Sequence, residues 1–318
     1  MKAFHIIAVS CLVVGIVLCC VALALGEFEM SFFNTTKYTE GTETISGDFT
    51  HISVDTEDFD VRFVPSEDGI CRIAYRQNTK TPLHFDVKDG TLSVRTENLR
   101  KWYDYITFFN FSRSQVILYL PTREYGSIQI TTATGDIEIP AGFTFADASL
   151  HSTTGSITLD GVALSGKLEA EVSTGYVKLT KISAAALSAM ATTGRINLQD
   201  LTVSGQMALH ASTGDVKVTN ATAGAMTAET STGDIVLQDV VLTGHMAVQA
   251  DTGDVRLTAC DAETLEITTS TGDVRGTLRS AKIFIANTST GRKNVPETTT
   301  GGTCKITCST GDIDISIQ

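Results

Sequence analysis

The chain has 318 residues, 19% of them charged, with a formal net charge of −12 and a pI near 4.9. That balance disfavours nucleic acid and anionic lipid as electrostatic partners, because both are themselves negative. Only 5 prolines accompany 26 glycines, and the glycines recur in phase, which excludes a disordered linker as the general character of the chain.

Residues 4–25 carry no Asp, Glu, Lys or Arg, and about 20 apolar residues suffice to cross a hydrocarbon core. Lys2 precedes the run and Glu27 and Glu29 follow it, so the positive-inside rule places the remainder outside the cytoplasm. Residues 1–26 are therefore expected to be a single membrane helix anchoring the chain to a bacterial cell membrane. The alternative is a signal segment cleaved near Ala24, where Ala22-Leu23-Ala24 offers small residues. Residues 27–44 read as a polar spacer.

Alternating apolar residues then mark strands: Ile52 and Val54, Phe59 to Phe63, Ile70 to Tyr75, Leu83 to Val87, Leu92 to Val94 and Val116 to Leu120. Asp89-Gly90 is a hairpin signal, and Pro65 and Pro82 suit strand ends. Residues 45–133 are expected to form an irregular β cap protecting open strand edges. Within it, Trp102, Tyr103, Tyr105, Phe108, Phe109 and Phe111 crowd one short stretch, with Arg100, Lys101 and Arg113 beside them. Three readings fit: a hairpin folded over the end of the core, a loop touching a membrane interface or a partner, or the wall of a ligand pocket.

From residue 134 a Thr-Gly pair returns with glycines at 135, 155, 175, 194, 214, 233, 253, 272, 291 and 311. A fixed period of 19 or 20 residues is the mark of a repeat array whose units bury their apolar faces only by stacking. Two and four residues after each glycine lie columns such as Ile196, Val216, Ile235 and Leu198, Val218, Leu237. Seven and five before it lie Leu187, Met207, Met226 and Ala189, Leu209, Ala228. This period-two alternation on both sides of the turn predicts an all-β, single-stranded parallel β-solenoid (β-helix) of about ten coils over 134–318, a rod about 45 Å long at about 4.8 Å per coil. A second corner is expected at Gly166, Gly205, Gly224, Gly244 and Gly302. The Thr before each corner glycine falls on the inward phase of the alternation. Cys71, Cys260, Cys304 and Cys308 read as small core residues, and Cys304 and Cys308 are too far apart along one strand for a disulfide.

Asp215, Asp234, Asp254 and Asp273 follow the glycine in four consecutive coils, which raises calcium as a ligand. One carboxylate per coil is thin for an ion that takes 6–8 oxygens, and the column breaks at Ser156, Tyr176, Arg195 and Arg292. A structural turn is the expectation and no metal or cofactor is assigned. His151 and His210 share an outward phase three coils apart, and no nucleophile motif or phosphate loop stands out, so no enzyme is expected. Lys293 occupies a core column next to Pro296, so that coil should bulge. The array then stops after Ile315 and Ile317 without a polar cap, an end that either protects its own edge or meets another molecule.

Asp58 to Val61, the Val116 to Pro121 strand, and the entry Ile128 to Ile137 leading into Ser-Thr-Gly-Asp beats together resemble the bacterial "putative adhesin" β-strand-repeat family, an envelope-associated domain of unknown function. The resemblance spans residues 45–318 and implies the solenoid architecture. It also implies an extracytoplasmic surface or adhesin-like module whose partner is an envelope protein or a surface glycan. Relatives tied to cell-envelope stress make a membrane-partnered stress sensor the alternative, and a polysaccharide-active enzyme a distant third.

Overall fold

The computed structural model describes residues 10–18, 20–21, 37–101 and 113–318. Alternation builds the body as expected: successive coils pair in parallel and in register, Ile196 on Val216 and Val216 on Ile235. Each coil has three sides. In the Gly194 coil, Leu187, Ala189 and Ala191 point inward from the strand Ala186–Thr193, and Ile196, Leu198, Leu201 and Val203 from the strand Ile196–Val203. All seven are at most 3% exposed.

The corner that creates the third side is built from Gly161, Lys181, Asp200, Asn220, Asp239 and Ala259, all with φ between 51° and 64°. Five of the six are not glycine, so no glycine column announces the turn. A left-handed conformation is open to Asp and Asn at low cost, and single Lys and Ala residues adopt it here where the stacked coils hold them.

The Thr before each corner glycine is exposed in every coil, not inward. The ladder skips one residue just before it: Ser152 pairs with Val172, then Thr154 with Thr174, with nothing paired between. That slip reverses the facing of the residues beyond it. The inward hydroxyls are those three before the glycine: Ser152 donates to the Gly135 carbonyl at 2.9 Å and Thr230 to that of Gly214 at 3.0 Å. The exposed Thr contributes its carbonyl, which accepts the glycine N–H of the neighbouring coil, as from Gly194 to Thr213 at 2.8 Å.

Both ends of the rod are laid down out of chain order. The strand Ile283–Thr290 does not lie on Thr264–Thr271. The strand Thr303–Thr310 sits between them, paired with both. On the next side Ile313–Ile317 is likewise inserted between Val274–Leu278 and Lys293–Asn294. Residues 303–317 therefore form an internal layer, with Cys304, Ile306, Cys308, Ile313 and Ile315 each no more than 2% exposed. The coil carrying Lys293 is the outermost layer. That explains a lysine in a core column, since among the described residues no coil lies above it to bury it. Beneath this layer the Lys282 ammonium is buried and bonds Asp261 at 2.8 Å.

At the other end, His51–Thr56 lies between Thr91–Thr96 and Glu124–Thr134, and Phe59–Pro65 between Ser114–Leu120 and Ile137–Ile139. The described residues of 45–133 cap this end and also extend the solenoid. They continue the parallel stack and finish it with antiparallel strands, Leu83–Lys88 on one side and Arg72–Asn78 with Tyr38–Thr44 on another. Here the core widens around aromatic contacts, Phe63 to Phe143 at 5.9 Å and Tyr125 to Phe145 at 5.9 Å. At about 4.8 Å per strand, the thirteen strands on the side that runs from Leu83–Lys88 to Ile283–Thr290 make the rod about 58 Å long.

Cys260, Cys304 and Cys308 are buried and Cys71 is half-buried. Burial pushes the Cys304 thiol up to about 12 and Cys71 up to about 11, Arg123 opposing the latter, so these thiols stay protonated and unreactive. Of the expected membrane segment, residues 10–18 and 20–21 are described and are helical. Among the described residues no helix is long and apolar enough to cross a membrane.

Candidate functional site

The corner carboxylates form a ladder whose oxygens are already engaged. Asp215 Oδ1 accepts the N–H of Asp234 at 3.0 Å, Asp234 that of Asp254 at 2.9 Å, Asp254 that of Asp273 at 2.8 Å, and Asp273 that of Asp312 at 2.7 Å. Asp312 then receives the N–H of Arg292 at 2.8 Å, following the spatial rather than the chain order of coils. Each carboxylate thus satisfies a donor that a sharp corner would otherwise leave unpaired. Arg256 bridges Asp234 and Asp254, both at 2.7 Å, and Arg275 reaches Asp273 at 2.6 Å. Where the column breaks at Ser156, its hydroxyl takes the Tyr176 N–H at 3.4 Å instead.

Among the described residues no three His, Cys, Asp or Glu side chains converge as a metal site. We expect the melting temperature to be the same in excess calcium and in chelator. Asp254→Ala should cost about 1–2 kcal/mol and Asp254→Asn less, because an amide carbonyl still accepts the N–H; urea unfolding measures both. The Arg292 N–H and guanidinium hold the Asp312 carboxyl below the ordinary carboxylate range. Its contribution is therefore present above that range and lost as pH falls through its lowered folded value.

The histidines do not come together. His151 lies 3.5 Å from Glu171 and His210 3.4 Å from Glu229, each pair spanning one coil step on the outer face. The column three after the glycine is a set of separate ion pairs and polar groups, Arg62 with Glu138 at 2.6 Å among them.

Among the described residues, a cleft lined by several charged side chains lies at the first corner of the repeat. Its volume is about 340 Å³, and Asp58, Asp60, Arg100, Arg113 and Asp136 line it around Gly135. Arg100 is largely buried and pairs with Asp58. Arg113 is exposed, 3.6 Å from Asp136 and 3.9 Å from Asp60, while Asp60 accepts the Asp136 N–H at 3.0 Å. Arg100 and Arg113 flank the aromatic stretch, so the chain leaves this cleft and returns to it. Trp102, Tyr103, Tyr105, Phe108, Phe109 and Phe111 themselves lie outside the described residues. Sequence reasoning saw the two arginines only as nearby charge. Of their aspartate partners, Asp60 lies on the strand Phe59–Pro65 and Asp58 immediately precedes it, a stretch whose alternating apolar residues mark packing.

Compared with known proteins, the chain matches the family model Toastrack DUF4097 over residues 49–240 and 205–318. A crystal structure described as a "putative adhesin" from Bacteroides fragilis is similar at 15% identity and TM-score 0.44, covering 88% of this chain and 97% of that one. A "putative lipid binding protein" from Parabacteroides distasonis is similar at 14% identity and TM-score 0.39, covering 87% and 97%. A "putative cell adhesion protein" from Clostridium sporogenes is similar at 11% identity and TM-score 0.29, covering 89% and 100%. No curated protein matches.

Proposed function

The chain belongs to the Toastrack DUF4097 family, and from that premise we propose that it is a non-catalytic, adhesin-like surface module of the bacterial envelope. In this reading residues 4–25 anchor it to the membrane. Their support is the uncharged run itself and the exposed side chains of Leu12, Val13 and Ile16 in the helical residues. In the same reading the rod carries the contact segment, residues 102–112, between two described flanks.

The observation that carries the reading is the pedestal at Gly135. Arg100 and Arg113 tie both flanks of the six-aromatic stretch to carboxylates of a fully packed stack. Aromatic rings held on a rigid support lose little entropy on binding, which suits an envelope protein, a glycan or a membrane interface as partner.

The test replaces residues 102–112 with a Gly/Ser linker of equal length in the full chain. Binding to bacterial cells and to lipid vesicles should fall about tenfold or more, the loss of one or two aromatic anchors, with an unchanged melting temperature. Undiminished binding to every surface would overturn this assignment.

A further inference from the structure

The strand Ile283–Thr290 closes the far end of the rod and, among the described residues, has one neighbour, Thr303–Thr310. The Ile283 N–H donates to the Gly302 carbonyl at 2.9 Å. By the alternation of a parallel ladder, residues 283, 285 and 287 face that neighbour, and Phe284, Ala286 and Thr288 turn their N–H and C=O groups to the open side. The strand, IFIANTST, contains no ionisable residue and no proline, and Ile283 and Ile285 are 43% and 49% exposed. Soluble proteins guard such edges with charge, proline or bulges. The opposite end of this rod does so, with Glu40 and Glu43 in one outer strand and Asp86 and Lys88 in the other.

We infer that this unguarded edge pairs with the same edge of a second copy, antiparallel about a two-fold axis through Ala286. The open groups are self-complementary in that register. Ala286 exchanges both hydrogen bonds with its own equivalent, and Phe284 exchanges both with Thr288. Side chains agree with it: Phe284, Ala286 and Thr288 continue the inward face, while Ile285 meets Asn287 and Ile283 meets Ser289 outside. No charge within the strand opposes another. A closed two-fold contact of this kind consumes the edge and stops at a dimer. It also brings together the exposed Lys293 of each copy, Arg292 being paired with Asp312, and joins two chains of formal net charge −12, so salt should strengthen the association by screening these like charges.

Two rods joined at these ends hold their strands Tyr38–Thr44, the start of the described body, at opposite extremities. If the segments preceding those strands are anchors, as the surface-module reading on which this consequence rests requires, the contact joins two membranes.

The experiment uses the full chain in detergent micelles, with sedimentation measured over a wide protein range at low and high salt. Wild type should form a reversible dimer, tighter at high salt. Ile285→Lys, an exposed change that leaves the fold intact by its melting temperature, should weaken it about tenfold or more by placing lysine on the paired edge. The double variant Ile285→Cys with Asn287→Cys should cross-link the two copies on oxidation, reporting the register. A monomeric wild type at all concentrations, or a dimer indifferent to Ile285→Lys, overturns the inference and leaves the aromatic segment's binding to be judged separately. In a second arm, wild-type chains in separate vesicle populations should cluster them. A dimer in micelles without clustering upholds the pairing and overturns the surface-joining role.

Discussion

Deleting residues 303–318 should damage this protein far more than trimming a terminus usually does. The cut removes an internal layer: Ile306, Ile313 and Ile315 alone forfeit on the order of 6 kcal/mol of apolar burial. It also bares Leu265, Ile267 and Val274 beneath, each at most 1% exposed. Above the gap, the strand Ile283–Thr290 loses the neighbour that holds it. We expect a melting temperature at least about 10 °C lower and loss of amide protection at both 264–271 and 283–290. The longer deletion of 279–318, which removes both layers together, should be no worse than the shorter one. Retained protection at 283–290 in the shorter deletion would contradict the interleaved order.

The second large effect is expected at a corner in mid-rod. Gly194 has φ +143°, and a β-carbon there would lie 1.5 Å from the carbonyl oxygen of Gly175 in the adjacent coil. Relief requires the two coils to part, because the clash is with backbone. Gly194→Ala should therefore cost at least about 3 kcal/mol in urea unfolding, a combination of backbone strain and lost ladder bonds. Lys181→Gly, at the other corner where φ is +53°, should change stability by less than about 1 kcal/mol, since glycine relieves strain there while loosening the unfolded chain. Equal responses at the two corners would refute the view that only one of them demands glycine.

The period, the strand phases and the inward columns at Leu187, Ala189, Ile196 and Leu198 were legible because each is a local consequence of alternation. The third side was hidden because Asp200, Asn220 and Asp239 turn the chain without glycine. The exposed Thr column was misread because a one-residue slip beside Ser152 shows only in the pairing. The insertion at the far end left one trace. Lys293 in a core column suggested a bulge, whereas the spacing of Gly272, Gly291 and Gly311 is the same whether or not the coils stack in order. The donors engaged by the aspartate oxygens, backbone N–H groups of the next coil and arginines, were not legible because only the stacking of coils places them. At the cleft, the arginines were visible in the sequence, but their partners Asp58 and Asp60 come from a strand more than forty residues earlier.

The interleaved ends also set a timetable for the growing chain. Residues 283–294 leave the ribosome before residues 303–317, the layer on which they must rest. Their native platform is missing until that later stretch has been made. At the start, His51–Pro65 waits in the same way for strands that emerge beyond Thr91. A stack that could zip up coil by coil from its first residue is instead kept open at both extremities until the far strands have been made.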